Sequence, residues 1–101
     1  MFVYNITFKV DHECLDDWME WQKTIQIPDI LATGCFYDHR FYELMNLEED
    51  DGRTFVIQFL AKSKSDYNRY QQIFGVSLRH RAIEKWKDSV VSFRTLLKNV
   101  E

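Results

Sequence analysis

Apolar and polar residues alternate over the first ten positions. Phe2, Tyr4, Ile6, Phe8 and Val10 fall on every second residue, with Val3, Asn5, Thr7 and Lys9 between them. Successive side chains of a strand point to opposite faces, so Phe2–Val10 is expected to form a half-buried strand with one apolar and one mixed side. Asp11 then stands where a helix N-cap is wanted. From about His12 to about Gln26 the spacing changes to three and four. Cys14, Leu15, Trp18, Trp21 and Ile25 make the inner face, while Asp16, Asp17, Glu20 and Lys23 fall mostly on the other. Pro28 disfavours helical geometry at Ile27, so the helix should end or kink there. Pro28–Thr33 can add a short helical turn, which Gly34 ends.

Cys35–Asn46 reads as a long, mixed second strand whose inward side the pattern does not settle. Leu47–Gly52, with Glu48, Glu49, Asp50 and Asp51, is a polar reversal closing on Asp-Gly, a hairpin signal. Arg53–Lys62 alternates again, with Phe55, Ile57, Phe59 and Ala61 on one side and Val56, Gln58 and Leu60 on the other. Ser63 or Ser65 can cap a second helix carrying the stripe Tyr67, Tyr70, Phe74, Leu78, Ala82 and Trp86. Gly75 weakens that stripe by about 1 kcal/mol relative to Ala and predicts a kink or break. Asp88 and Ser89 lead into a last strand, Val90–Lys98. Its sides are Val91, Phe93, Thr95 and Leu97 against Val90, Ser92, Arg94 and Leu96.

The order is β-α-β-β-α-β. Right-handed crossovers turn it into an α+β, ferredoxin-like, four-stranded antiparallel sheet with both helices on one face, in one domain over residues 1–101. The uncovered face is expected to hold Val3, Val56, Leu60, Val90 and Leu96 beside Asn5, Thr7, Gln58, Ser92 and Arg94. That mixture is too apolar for a freely solvated surface. A second copy of the sheet is the simplest cover, giving an isologous homodimer shaped as a dimeric α/β barrel.

Composition narrows the function classes. A formal net charge of −3 argues against nucleic-acid binding. No apolar run approaches the roughly 18 residues a membrane span needs, so no membrane partner is expected. The N-terminus is already patterned as a strand, so no signal peptide is expected, and with Cys14 and Cys35 as the only cysteines a reducing cytoplasm is the default. No CxxC or HExxH spacing occurs. Cys35 and His39 would lie about 13 Å apart along a strand, too far to share a metal. His12 and Cys14 diverge at a helix start, and neither a metal nor another cofactor is expected.

Val-Tyr-Asn-Ile-Thr (3–7), Ile-Pro-Asp-Ile-Leu-Ala-Thr-Gly-Cys-Phe (27–36), Phe-Val-Ile-Gln-Phe (55–59) and Ser-Phe-Arg-Thr-Leu-Leu (92–97) resemble an uncharacterised family of short bacterial proteins, frequent in Bacteroidetes. The resemblance spans nearly the whole chain. It implies a domain of unknown function with the dimeric α/β-barrel, ferredoxin-like fold, and it carries no catalytic residues over. Where relatives have Ala-Pro near the helix-two break, this chain has Gly75-Val76.

Asn5, Thr7, Gln58, Ser92 and Arg94 are the candidate ligand-binding set. Arg94 offers a fixed fork of donors for a carboxylate or phosphate, and the amides can donate and accept. The simpler alternative is that these groups bond one another or water at the dimer interface. His80 lies in a basic run with Arg79, Arg81, Lys85 and Lys87; His80 could transfer a proton or the run could bind an anion, but it reads first as a solvated helix face, or as an answer to a partner's acidic turn. Trp18, Trp21, Trp86, Tyr67 and Tyr70 read as core rather than as an aromatic box. The function expected is a non-catalytic homodimer holding a small polar or anionic molecule between its sheets. Cofactor-free monooxygenases and haem-degrading proteins of similar architecture supply an alternative, with Asn5, His39, His80 and Trp86 as secondary candidates. A pure protein-interaction module is the third reading.

Overall fold

The computed structural model describes residues 1–46, 48 and 52–101. Four strands, β1 (Phe2–Asp11), β2 (Asp38–Glu43), β3 (Gly52–Ala61) and β4 (Val90–Lys98), form one sheet in the order β2-β3-β1-β4. Every neighbouring pair is antiparallel. Two long helices, residues 12–32 and 64–86, connect β1 to β2 and β3 to β4 and pack on one face, so the α+β ferredoxin-like expectation holds. Among the described residues no helix is long and apolar enough to cross a membrane.

The alternation in β1 and β3 sets the core. Tyr4, Ile6, Phe8 and Val10 are buried opposite Phe59, Ile57, Phe55 and Arg53 in the β1–β3 register. Trp18 of helix one is fully buried on this floor, its ring centroid 5.2 Å from Phe8, 5.3 Å from Phe55 and 5.8 Å from Phe41. Toward the other end Tyr4 meets Tyr67 and Tyr70 of helix two, each at 5.7 Å. Large rings bury much apolar area per residue, which suits a core this small.

Neither helix breaks where a break is expected. Helix one runs through a 3-10 turn (His12–Cys14), an α segment (Leu15–Trp21), a π-turn (Gln22–Gln26) and a second α segment (Ile27–Ala32). Ile27 N–H donates to Gln22 O, five residues back, so Pro28 falls in the first turn of the next segment, where its missing N–H costs little. Gly34 closes the helix at φ +76°. The π-turn adds a residue to one turn and rotates the inner face. Ile25, expected inside, is 43% exposed, while Gln22 and Gln26 are buried. In helix two Ser63 Oγ accepts from Asp66 N at 3.1 Å, and the irregularity expected at Gly75 is a π-turn, Gln71–Gly75.

β2 is shorter than the expected Cys35–Asn46. Cys35 and Phe36 are already core, and Asn46 takes a positive φ. Most of the predicted reversal at residues 47–52 lies outside the described residues. β3 opens on Gly52 beside Asp11, where an added Cβ would run into the Val10 carbonyl.

The largest correction concerns β4. It pairs Tyr4↔Leu96, Ile6↔Arg94 and Phe8↔Ser92, so Val90, Ser92, Arg94 and Leu96 share the helix side of the sheet. The open side holds Val91, Phe93, Thr95 and Leu97 beside Val3, Asn5 and Thr7. In β2 the pairs Arg40↔Gln58 and Tyr42↔Val56 put Asp38, Arg40 and Tyr42 on the open side and His39, Phe41 and Glu43 on the helix side.

Trp18→Ala is expected to remove about 3–5 kcal/mol of unfolding free energy, the usual cost of truncating a buried large ring. Urea titration followed by far-UV circular dichroism measures it. Val91→Ala, at an exposed site on the open face, should stay within about 0.5 kcal/mol on the monomer's own stability.

Candidate functional site

The helices do not close fully over the β4 side of the sheet. A cavity of about 80 Å³ remains between them and the strands. Its floor is Tyr4, Ile6 and Phe8 of β1 with Ile57 and Phe59 of β3. Gln22, Gln26 and Ile30 of helix one form one wall, and Tyr70, Arg79, Ala82 and Ile83 of helix two form another. Ser92 and Arg94 reach it from β4. Ile83, Ser92 and Arg94 are exposed, which puts the mouth at the β4 edge.

Each π-turn helps shape this space. On helix one it brings Gln22 and Gln26 inward. Gln26 is anchored: its Nε2 donates to Leu78 O at 3.0 Å, and its Oε1 accepts from Arg81 Nη2 at 2.6 Å. On helix two, Arg79 Nη1 donates to Gln71 Oε1 at 3.1 Å across the turn, and Gln71 Nε2 is buried without a partner among the described residues. Arg94 makes no hydrogen bond or ion pair among the described residues. Burial, reinforced by Tyr4 alongside, pushes the Tyr70 phenol well above the usual tyrosine range against the pull of Arg79 and Arg81, so its hydroxyl stays protonated. The described lining thus holds two guanidiniums and no carboxylate.

The sequence-predicted set divides between two faces. Asn5 and Gln58 lie on the open face, where Gln58 Nε2 donates to Asn5 Oδ1 at 3.2 Å and Asn5 Nδ2 donates to Thr95 Oγ1 at 3.2 Å. Thr7 shares that face. Ser92 and Arg94 are on the other side of the sheet, so the five do not form one cluster. A strand register fixed by backbone pairing, one residue away from the expected phase, is the physical reason. His39 lies against the Phe59 ring at 6.4 Å; His80 is exposed, 3.7 Å from Glu84; Trp86 packs on Trp21 at 5.7 Å with its Nε1 buried and unpartnered among the described residues. None of these three lines the cavity.

The basic run is not one solvated face. Arg79 turns inward, and Arg81 Nη1 donates to Asp29 Oδ2 at 2.8 Å and ties the two helices together. Lys85 lies over the Trp86 ring at 5.1 Å. Gln22 and Gln26 carry no site reading in the sequence, while Arg79 enters only through the basic run and Tyr70 only through the aromatic set. The one available signal was a pair of glutamines at i, i+4 just before Pro28, polar side chains on what the π-turn makes an inward face. Cys14 bonds to the Asp11 and Ser89 carbonyls, and burial pushes its thiol up, followed by the neighbouring Asp11 charge. No group of three or more metal-ligating side chains gathers among the described residues.

Comparison with known proteins bears on the fold. A dimeric ferredoxin-like protein from an uncultured marine organism is similar over 100% of this chain and 96% of its own, with TM-score 0.73 and 15% identity. An ethyl tert-butyl ether d (EthD) family protein from Bacillus halodurans aligns over 99% and 100% of the two chains, with TM-score 0.68 and 11% identity. A mutant of SnoaB, a cofactor-independent oxygenase from Streptomyces nogalater, aligns over 99% and 94%, with TM-score 0.62 and 11% identity. No curated protein matches the chain. Residues 1–100 match the family described as Domain of unknown function (DUF4286), and the chain belongs to that family.

Proposed function

We propose that the protein is a cytoplasmic homodimer that binds a small anionic molecule, without chemistry, in the helix-side cavity of each subunit. The observation that carries the ligand is the pairing of Arg79 and Arg94 on a mostly apolar cavity whose described lining has no carboxylate to neutralise them. Two guanidiniums reaching one mostly apolar cavity favour an anion, and concave apolar sites with few convergent polar groups are where small ligands bind. This moves the expected site from between the sheets to beneath the helices.

A second copy remains the favoured cover for the open face. Val91 and Phe93 there are more than 60% exposed, beside Tyr42 and Leu97. Apolar groups massed on one face mark an interface, and the likeness to a dimeric ferredoxin-like protein favours a second sheet. The free cysteines Cys14 and Cys35 fit a reducing compartment.

The oxygenase reading draws on the likeness to SnoaB and ranks second. Its sequence candidates are dispersed: Asn5 is bonded on the open face, and His39, His80 and Trp86 lie outside the cavity. A side chain suited to take a proton from a bound substrate is not among the described lining residues.

Calorimetric titration with acetate, benzoate and inorganic phosphate should give saturable binding of at least one, with one site per chain. Arg94→Ala should weaken it about tenfold, as expected for losing a charge-assisted hydrogen bond, while Asn5→Ala leaves it unchanged. The reverse pattern would return the site to the sheet face. Phe93→Asp should convert the dimer to monomer in multi-angle light scattering at micromolar concentration; a wild-type chain that is already monomeric there removes the dimer.

A further inference from the structure

We infer that the cavity ligand is a small monocarboxylate with a short apolar or aromatic body, its head held by Arg79 and Arg94 together, and that Gly75 exists to set Arg79 for that task. This rests on the anion-binding reading above and narrows it.

The chemistry of the walls selects the class. The two guanidiniums come from different elements, helix two and β4, and reach the same space. Each presents a planar fork that matches a carboxylate. Tyr4, Phe8 and Phe59 with Ile6, Ile30 and Ile57 make up half of the rest of the lining. Phosphate and sulfate present oxygen in every direction and would press some of them against these rings unpaired, at a desolvation cost. A carboxylate gathers its charge at one end and leaves an apolar remainder for the rings. A volume of about 80 Å³ is room for several water-sized groups, each needing at least about 10–15 Å³ of such space. It suits a carboxylate and the first atoms of its body, with anything longer leaving past Ile83 and Ser92.

Gly75 is the positioning residue. It ends the π-turn of helix two and is buried. A Cβ there would stand 3.0 Å from Arg79 Nη1, 3.2 Å from Gln71 Oε1 and 3.3 Å from Tyr70 Cε2. The bare backbone is what lets the Arg79 guanidinium lie across the turn and reach Gln71 Oε1 at 3.1 Å. Glycine inside a helix is about 1 kcal/mol worse than alanine, so the chain keeps a destabilising residue where the arginine needs the space. With Ala at this position the nearest obstacle would be the far end of a flexible side chain, so the helix should survive and the guanidinium should move.

The test is calorimetric titration of the full chain with butyrate, benzoate and inorganic phosphate, for the wild type, Gly75→Ala, Arg79→Gln and the double variant, with melting temperatures recorded for each. At least one carboxylate should bind about tenfold or more tighter than phosphate. Gly75→Ala should weaken carboxylate binding about tenfold, the loss of one charge-assisted contact, with an equal or higher melting temperature. In the Arg79→Gln background it should cost nothing further, because the two act through one group. Phosphate binding as tightly as both carboxylates overturns the ligand class and leaves the anion reading standing. Binding of none of the three overturns both. Wild-type affinity in Gly75→Ala, or additive losses in the double variant, overturns the role of Gly75; if Gly75→Ala does not fold, wild-type affinity in Arg79→Gln overturns the clamp.

Discussion

Antiparallel pairing between β1 and β4 is the constraint on which the rest of the molecule turns. The period of a strand is two, so a shift of one residue exchanges its faces completely. With Ile6 opposite Arg94, the arginine lies under the helices and Phe93 lies outside. One step the other way would put a phenyl ring into the cavity and a guanidinium onto the open sheet. The identity of the pocket and the apolar character of the outer face are therefore two results of one register.

That explains why some strands were readable and others were not. β1 and β3 each place large apolar residues on one side only, and Tyr4, Phe8, Phe55 and Phe59 are buried as their spacing says. β4 offers no such contrast. Val90 and Leu96 accompany Ser92 and Arg94, while Val91, Phe93 and Leu97 accompany Thr95, and either side could pass for the inner one. As an edge strand it is also mostly exposed on both sides, so burial had selected neither set strongly. Pairing geometry and the short turn Lys87–Ser89, entered at a positive φ, decide what composition leaves open.

The helices show a different limit. Periodicity assumes 3.6 residues per turn, and both helices depart from it at one point. Pro28 and Gly75 were visible as irregularities, and each accompanies a π-turn. Their effect on the residues around them was not visible, because a widened turn redirects side chains without breaking the helix. Ile25, inward by a regular period, faces out; Gln22 and Gln26, off that stripe, are buried. The wall of the cavity is built where the regular pattern fails.

The row Gln58–Asn5–Thr95 crosses three adjacent strands on an outer surface that also carries Val91, Phe93 and Leu97. The hydrogen bonds along it leave amide hydrogens and the Gln58 carbonyl oxygen still in need of partners. A body that slid or rotated on this surface would strand those groups in a dry contact, at about 1–3 kcal/mol for each. Against any covering body the amide ladder would therefore work as a key. It adds little attraction of its own, but it penalises every seating except the one whose polar groups meet it, so this surface can be oily and still particular about the angle at which it is covered.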